Sequence, residues 1–260
     1  KNGSAKDFIN ETNSENVYLM ERLENVNDDI ELLSNFDEVN IADVAAMLND
    51  ENAATVIPAL IGTDNNNRVL LGGTLPKKEV RTSGYAVIKD SKLTGYIEEP
   101  YSRGYNFLVN KVKSGTVCVK DGSGNNVSLE ILNEKTKIAA QFNGDTLEGV
   151  TYHVHIYSNV EEQHSHDNIF TMNSIENIYR QQSDIIKAEM EKVIQLSKEF
   201  GIDCIQLGEL IRMKYPYKWE KIKDNWKDVY TSVNIAVEIY SQPRRTYDLL
   251  EPNGYIMGND

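Results

Sequence analysis

The 260-residue sequence predicts an α+β fold, in which a mainly antiparallel sheet is flanked by long amphipathic helices and preceded by a smaller α/β-type domain. Three observations lead to this prediction. Strand-like segments are concentrated between residues 84 and 158, the longest helical pattern follows at 174–200, and the alternating "TSVNIAVEIYS" comes after the helices. Strands followed by helices and one returning strand are typical of α+β proteins, whereas doubly wound folds interleave the two.

Residues 1–75 are predicted to form the smaller, helix-rich domain. In "ENVYLMERLENVNDDIELLSNF", apolar residues at spacings of three and four predict an amphipathic helix: Leu19, Leu23, Val26, Ile30 and Leu33. "VNIADVAAMLND" predicts a shorter helix with Asn40 as its N-cap, and "TVIPALI" a strand that Pro58 places at a sheet edge. A polar, Gly-rich stretch then predicts a domain boundary near Gly72 to Lys78, so that residues 76–260 form the second domain.

The second domain is predicted to begin with strands. "SGYAVIKDSKLTGYI" has the pattern of a hairpin that turns at Asp90-Ser91. "EEPYSRGYNFLVNK" predicts a helix, because acidic residues and Pro100 suit a helix N-terminus. Three longer strands are predicted at 115–120, 127–142 and 148–158, with "DGSGNN" as the turn between the first two.

The helices come next. Residues 174–200 carry a nearly continuous apolar stripe, and Gly201 is a natural C-cap. "IQLGELIRMKY" predicts another one or two helical turns. Pro216 then opens a helix with Trp219, Ile222 and Trp226 on one face.

Composition excludes several classes of protein. The net charge of -13, from 40 acidic and 27 basic residues, repels phosphate backbones, so we expect no binding to nucleic acid. No run of residues approaches the roughly 18–20 apolar residues of a membrane-spanning helix. The two cysteines, Cys118 and Cys204, match no close-spaced zinc or redox motif. Cys118 lies in the alternating "GTVCVKD", where we expect a buried free thiol.

All four histidines lie within "YHVHIYSNVEEQHSHD". On a strand over 148–158, His153 and His155 share a face, while Tyr152, Val154 and Ile156 line the opposite, apolar face. His164 and His166 follow in a polar loop. Four imidazoles are enough for a tetrahedral zinc site. The loop pair, however, has no rigid element to fix its geometry, which favours structural or solvated histidines over a metal site.

A set of segments in fixed order carries a family resemblance. These are the hairpin Ala86 to Tyr96, the acidic Glu98 and Glu99, Arg103-Gly104, the "KTKI" at Lys135 to Ile138, and Pro216 with Trp219 and Trp226. In this order, over roughly residues 80–242, they resemble the Ger(x)C family, the C-subunit lipoproteins of nutrient germinant receptors in spore-forming bacteria. The "VIPAL" segment is similar to the end of that family's N-terminal region.

The resemblance implies a non-enzymatic receptor subunit with no cofactor and no catalytic residue. Its implied partners are the receptor's A and B subunits. The implied location is the outer face of the inner spore membrane, reached through an N-terminal lipid anchor. This sequence opens with "KNGSAKDF" and lacks the lipid-accepting cysteine, so we expect it to be a soluble piece of a longer lipoprotein.

Candidate partner-binding residues are Trp219, Trp226, Tyr217, Glu98, Glu99 and Arg103. Trp and Tyr are enriched at interface hot spots. Both tryptophans are also candidates for internal packing, and the three charged residues for internal pairing. Two other functions stay open: a module that itself binds a small molecule in a cleft near residues 62–80, and a metal-binding protein that uses His153, His155, His164 and His166.

Overall fold

The computed structural model describes residues 39–64, 78–164 and 168–244. Its first element, helix α1 (Ile41–Leu48), is closed by a capping box. The Asp43 amide donates to Asn40 Oδ1 at 2.9 Å, and the Asn40 amide donates to Asp43 Oδ2 at 3.2 Å. The predicted N-cap is therefore confirmed. The amphipathic helix predicted around Leu19 to Leu33 lies outside the described residues.

A first sheet has three antiparallel strands, β1 (Thr55–Asp64), β2 (Lys78–Lys89) and β3 (Lys92–Ile97), in the order β1-β2-β3. Strand β1, with Pro58, is an edge of this sheet, as predicted. Asp90 and Ser91 have φ values of 50° and 59°, and two consecutive positive φ values are what a type I′ hairpin turn requires.

The predicted domain boundary falls between two paired strands. Strand β1 precedes it and β2 follows it, and the two pair from Thr55 with Ile88 to Asp64 with Lys78. The boundary near Gly72 lies mostly outside the described residues, so the division into 1–75 and 76–260 stays a prediction.

A second sheet has the order β4-β5-β6-β7, with β4 (Gly115–Lys120), β5 (Asn126–Asn143), β6 (Thr146–Gln163) and β7 (Asn234–Pro243). The first three strands are antiparallel, and β7 returns parallel to β6. All the strands predicted here are confirmed, and β6 runs five residues beyond its predicted end at residue 158. The mixed content confirms the predicted α+β class.

Helix α3 (Met172–Phe200) is the longest described element and packs against β7, β4 and helix α2 (Glu99–Leu108). It ends at Gly201, which has a φ of 66° and acts as the predicted C-cap. Three short helices follow: α4 (Leu207–Lys214), α5 (Pro216–Ile222) and, after a 3₁₀ turn at Lys223–Asn225, α6 (Trp226–Ser232). No helix in the described ranges is long and apolar enough to cross a membrane.

Cys118 corrects one prediction, because its thiol is exposed and not buried. Its strand does alternate, but Val117 and Val119 take the inward face. Cys118 therefore faces outward with Lys120, 3.8 Å from Ser128 Oγ. The other thiol, Cys204, is fully buried.

Helices α2 and α3 cross in direct backbone contact at Gly104. A Cβ atom at this position would lie 2.5 Å from the carbonyl carbon of Glu189 and 2.8 Å from the amide nitrogen of Met190. The neighbouring Arg103 donates from Nε and Nη2 to the Glu189 carboxylate at 2.9 and 2.5 Å, and from Nη1 to the Thr116 carbonyl at 3.0 Å. This one turn of α2 thus connects α3 to β4.

We expect Gly104→Ala to destabilise the protein by about 1–3 kcal/mol, because the new methyl group meets backbone that can yield only by separating the two helices. Chemical denaturation followed by tryptophan fluorescence measures the change. Gly122→Ala is the matched control, since a Cβ atom there meets nothing within 4 Å. Equal stability of the two variants would contradict the close crossing.

Candidate functional site

The histidines on β6 face outward as predicted. Tyr152, Val154 and Ile156 are fully buried on the opposite face. His153 Nδ1 lies 3.1 Å from Glu238 Oε2 on β7, and the His155 ring stacks on Tyr240 with centroids 5.4 Å apart. Each of these two imidazoles therefore contacts a different β7 side chain.

The structure describes one of the two loop histidines. His164 Nε2 lies 3.7 Å from Glu162 Oε2, and His166 lies outside the described residues. Within the part of the chain that the structure describes, no group of three or more His, Cys, Asp or Glu side chains is placed to hold a metal ion.

The two tryptophans are packed inside the protein. Trp219 is 6% exposed and Trp226 1%, and their rings meet edge to face at 5.0 Å. Gly208, in the first turn of α4, lies against both indoles, since a Cβ atom there would lie 2.9 Å from Trp219 and 3.0 Å from Trp226. The packing interpretation describes both residues, and a small exposed part of Trp219 lines a cavity.

Asp203 is the polar centre beneath these rings, and sequence reasoning missed it. Its Oδ1 accepts from the Leu207 amide at 3.0 Å, and its Oδ2 accepts from the Gly208 amide at 2.7 Å and from Trp226 Nε1 at 3.1 Å. Burial raises the pKa of this carboxyl to about 6, against the opposing effect of those donors. An Asp shortly before a predicted helix was the available signal, because such residues cap helices.

The candidates on α2 divide between surface and interior. Glu98 and Glu99 are exposed at the helix N-terminus, where acidic residues are favourable. Arg103 is held in the ion pair with Glu189, and each side chain of this pair is only 14% exposed. Arg103 therefore has an internal role.

The corner between α4 and α5 is fastened to the end of the β5–β6 hairpin. Lys214 Nζ donates to the Ile138 carbonyl at 2.5 Å, and Lys218 Nζ donates to the Gly144 carbonyl at 2.7 Å. The Tyr215 hydroxyl accepts from the Ala140 amide at 3.3 Å, and the Tyr215 ring lies edge-on to Phe142 at 5.6 Å. These contacts fix the corner on both sides of Pro216.

Two large side chains project from this corner into solvent. Tyr217 is 89% exposed and Met213 is 72% exposed. We call Met213, Tyr217 and the exposed Lys214 and Lys221 around them the corner surface. A rigid backbone that presents exposed aromatic and thioether groups beside cations is suited to binding another protein.

The comparisons with known proteins identify the family. The model of the family "Spore germination B3/ GerAC like, C-terminal" matches residues 83–247. The chain belongs to this family. The predicted resemblance is therefore confirmed, and the matched region contains Trp219, Trp226 and the corner surface.

Curated relatives agree. Spore germination protein KC of Bacillus subtilis (strain 168) is 28% identical over 228 residues, which cover 80% of this chain and 53% of the relative. Spore germination protein B3 of the same strain is 24% identical over 204 residues, covering 72% of this chain and 52% of the relative. The chain thus spans about half the length of these relatives.

One solved structure shares the fold. The crystal structure of the GerBC protein matches with a TM-score of 0.61, covering 82% of this chain and 65% of the solved chain. The two sequences are 15% identical, so the likeness concerns the fold alone.

Asp203→Asn tests the buried carboxyl through the pH dependence of stability. The pKa of Asp203 is raised from 3.8 to about 6 on folding, so its protonated form favours the folded state. That contribution is complete below about pH 4 and is lost as the pH rises through 6. The stability deficit of the variant should therefore shrink by about 1–3 kcal/mol between pH 4 and pH 7.

Urea unfolding at several pH values measures this difference. Asp228→Asn, an exposed carboxylate on α6, is the control and should follow the wild-type pH profile. A deficit for Asp203→Asn that stays constant over the range would show that the buried carboxyl does not titrate there.

Proposed function

We propose that this chain is a non-catalytic subunit of a nutrient germinant receptor and acts in spore germination by associating with the receptor's A and B subunits. The family match over residues 83–247 carries the proposal. The germination names of the two curated relatives support it. In the full-length protein, an N-terminal lipid anchor holds the subunit on the outer face of the inner spore membrane.

The internal use of the polar groups supports a docking role. The carboxylate of Asp203 accepts hydrogen bonds from Leu207, Gly208 and Trp226, and Arg103 is paired with Glu189. These polar groups hold helices and strands together inside the protein. Recognition of a partner therefore falls to exposed residues. Glu98 and Glu99 remain candidate contacts at the start of α2.

The corner surface is the proposed anchor for a partner. Tyr217 offers a large, nearly fully exposed ring on a backbone that its neighbours already fix, so that little conformational entropy is lost on binding. Lys221 is exposed near it on a chain whose net charge is -13, and Lys214 is exposed as well, although its ammonium binds the Ile138 carbonyl. The matching partner surface is therefore an acidic one with a recess for a tyrosine ring.

Co-purification from spores with full-length protein and tagged A and B subunits tests the function. Wild-type protein should co-purify with both subunits. If it binds neither when the anchor is intact, the proposed function is wrong.

Tyr217→Ala tests the surface separately. We expect it to weaken the association at least about tenfold, because a truncated hot-spot ring loses most of its contact area. Tyr240→Ala is the matched control, because Tyr240 is 55% exposed on a different face, in the β4–β7 sheet. Thermal unfolding of both variants checks that they are folded. Wild-type association by Tyr217→Ala would exclude the corner surface but leave the subunit function standing.

A further inference from the structure

A cavity of about 610 Å³ lies between two parts of the chain that are distant in sequence. One wall is the end of α1 and the segment 49–53, and the other is formed by Asp203, α4 and Trp219. Its volume is within the range of small-molecule sites. The cleft predicted near residues 62–80 lies largely outside the described residues, so this cavity is at a different place.

The wall at 49–53 is held in place by several contacts. The Ala54 amide donates to the Asp203 carbonyl at 2.9 Å. Lys89 Nζ donates to the carbonyls of Glu51 at 2.7 Å and Ala53 at 2.8 Å, and the Asn52 amide donates to Asp50 Oδ1 at 2.8 Å. These contacts hold this wall of the cavity in place without a ligand.

Its floor is apolar and aromatic. Trp219 lines the cavity with Met47, Ala53 and Gly208. Trp219 is 6% exposed, so it presents only a small part of its ring to the cavity. This floor suits a ligand with a flat or apolar body.

The rim is net negative. Arg212 donates from Nε and Nη2 to the Glu209 carboxylate at 2.7 and 2.6 Å, so this pair is neutral as a unit. Asp50 and Glu51 remain on the opposite side, and no described salt bridge involves either carboxylate. Arg212 is also attracted to Asp50, and Lys89 Nζ binds the Glu51 carbonyl, so a ligand cation would compete with these groups. Carboxylates still outnumber cations among the residues that line the cavity, so the charge attracts a ligand cation.

We propose that this cavity binds a small organic ammonium ion, with its apolar body against Trp219 and its ammonium group near Asp50 and Glu51. A cation beside an indole face or edge near two carboxylates combines apolar burial with charge attraction. The site is independent of the corner surface and adds a ligand-binding function to the proposed docking function.

Three probes of nearly equal size and different charge test the class of ligand: phenethylamine, 2-phenylethanol and phenylacetate. Binding is followed by tryptophan emission, because the only two tryptophans of the chain are Trp219 in the floor and Trp226 beside it. The amine should bind with a millimolar dissociation constant, as expected for about ten heavy atoms. The alcohol should bind at least about fivefold more weakly, and the acid not measurably.

The double variant Asp50→Asn/Glu51→Gln should reduce the affinity for the amine to that for the alcohol. Its matched control is Asp184→Asn/Glu191→Gln, which removes two exposed carboxylates of α3 and should leave the affinity unchanged. Equal binding of the three probes, no binding of the amine, or an unchanged affinity in the Asp50/Glu51 variant would each overturn the proposal. Thermal unfolding confirms that both double variants are folded.

Discussion

The arrangement of the helical half of this protein depends on the buried carboxylate of Asp203. A carboxylate removed from water is costly unless donors surround it. Here two donors are the free amides at the start of α4 and the third is the Trp226 indole, while the backbone carbonyl of the same residue accepts from Ala54. One residue thus sets the start of α4, the position of α6 and the approach of the segment that leads into β1. Asp203 lines the cavity and also accepts a hydrogen bond from Trp226, one of the two packed tryptophans.

The crossing of α2 and α3 has a comparable role within the long helix, at Glu189 and Met190. Gly104 lets the two backbones touch, and Arg103 connects that contact to β4. The corner surface belongs to the same rigid body, because Lys214 and Lys218 tie it to the β5–β6 hairpin. Exposed groups on a body fixed in this way are presented at constant positions. That property is useful to a protein whose proposed task is to hold other subunits.

Local signals made much of the fold predictable. The hairpin turn at Asp90, the C-cap at Gly201 and the returning strand each follow from neighbouring residues, and the structure confirms them. Features that depend on distant contacts were not predictable. The role of Asp203 needs Trp226 and Ala54 beside it, which no local pattern reveals. Alternation around Cys118 predicted a strand correctly, but alternation alone does not show which face is buried. In the structure, Val117 and Val119 occupy the buried face. The candidate site residues differ in exposure for the same reason. Tertiary packing decides that the two tryptophans are buried and that Tyr217 is exposed.

The parallel pairing of β6 with β7 has a consequence for biosynthesis. Gly149 pairs with Asn234, so the nascent polypeptide emerges from the ribosome with β6 complete long before its neighbour exists. During that interval the β6 edge offers unpaired amides and carbonyls to any extended chain nearby. Translation products that end before Asn234 would keep this edge permanently open, and such products are candidates for aggregation and for clearance by chaperones and proteases.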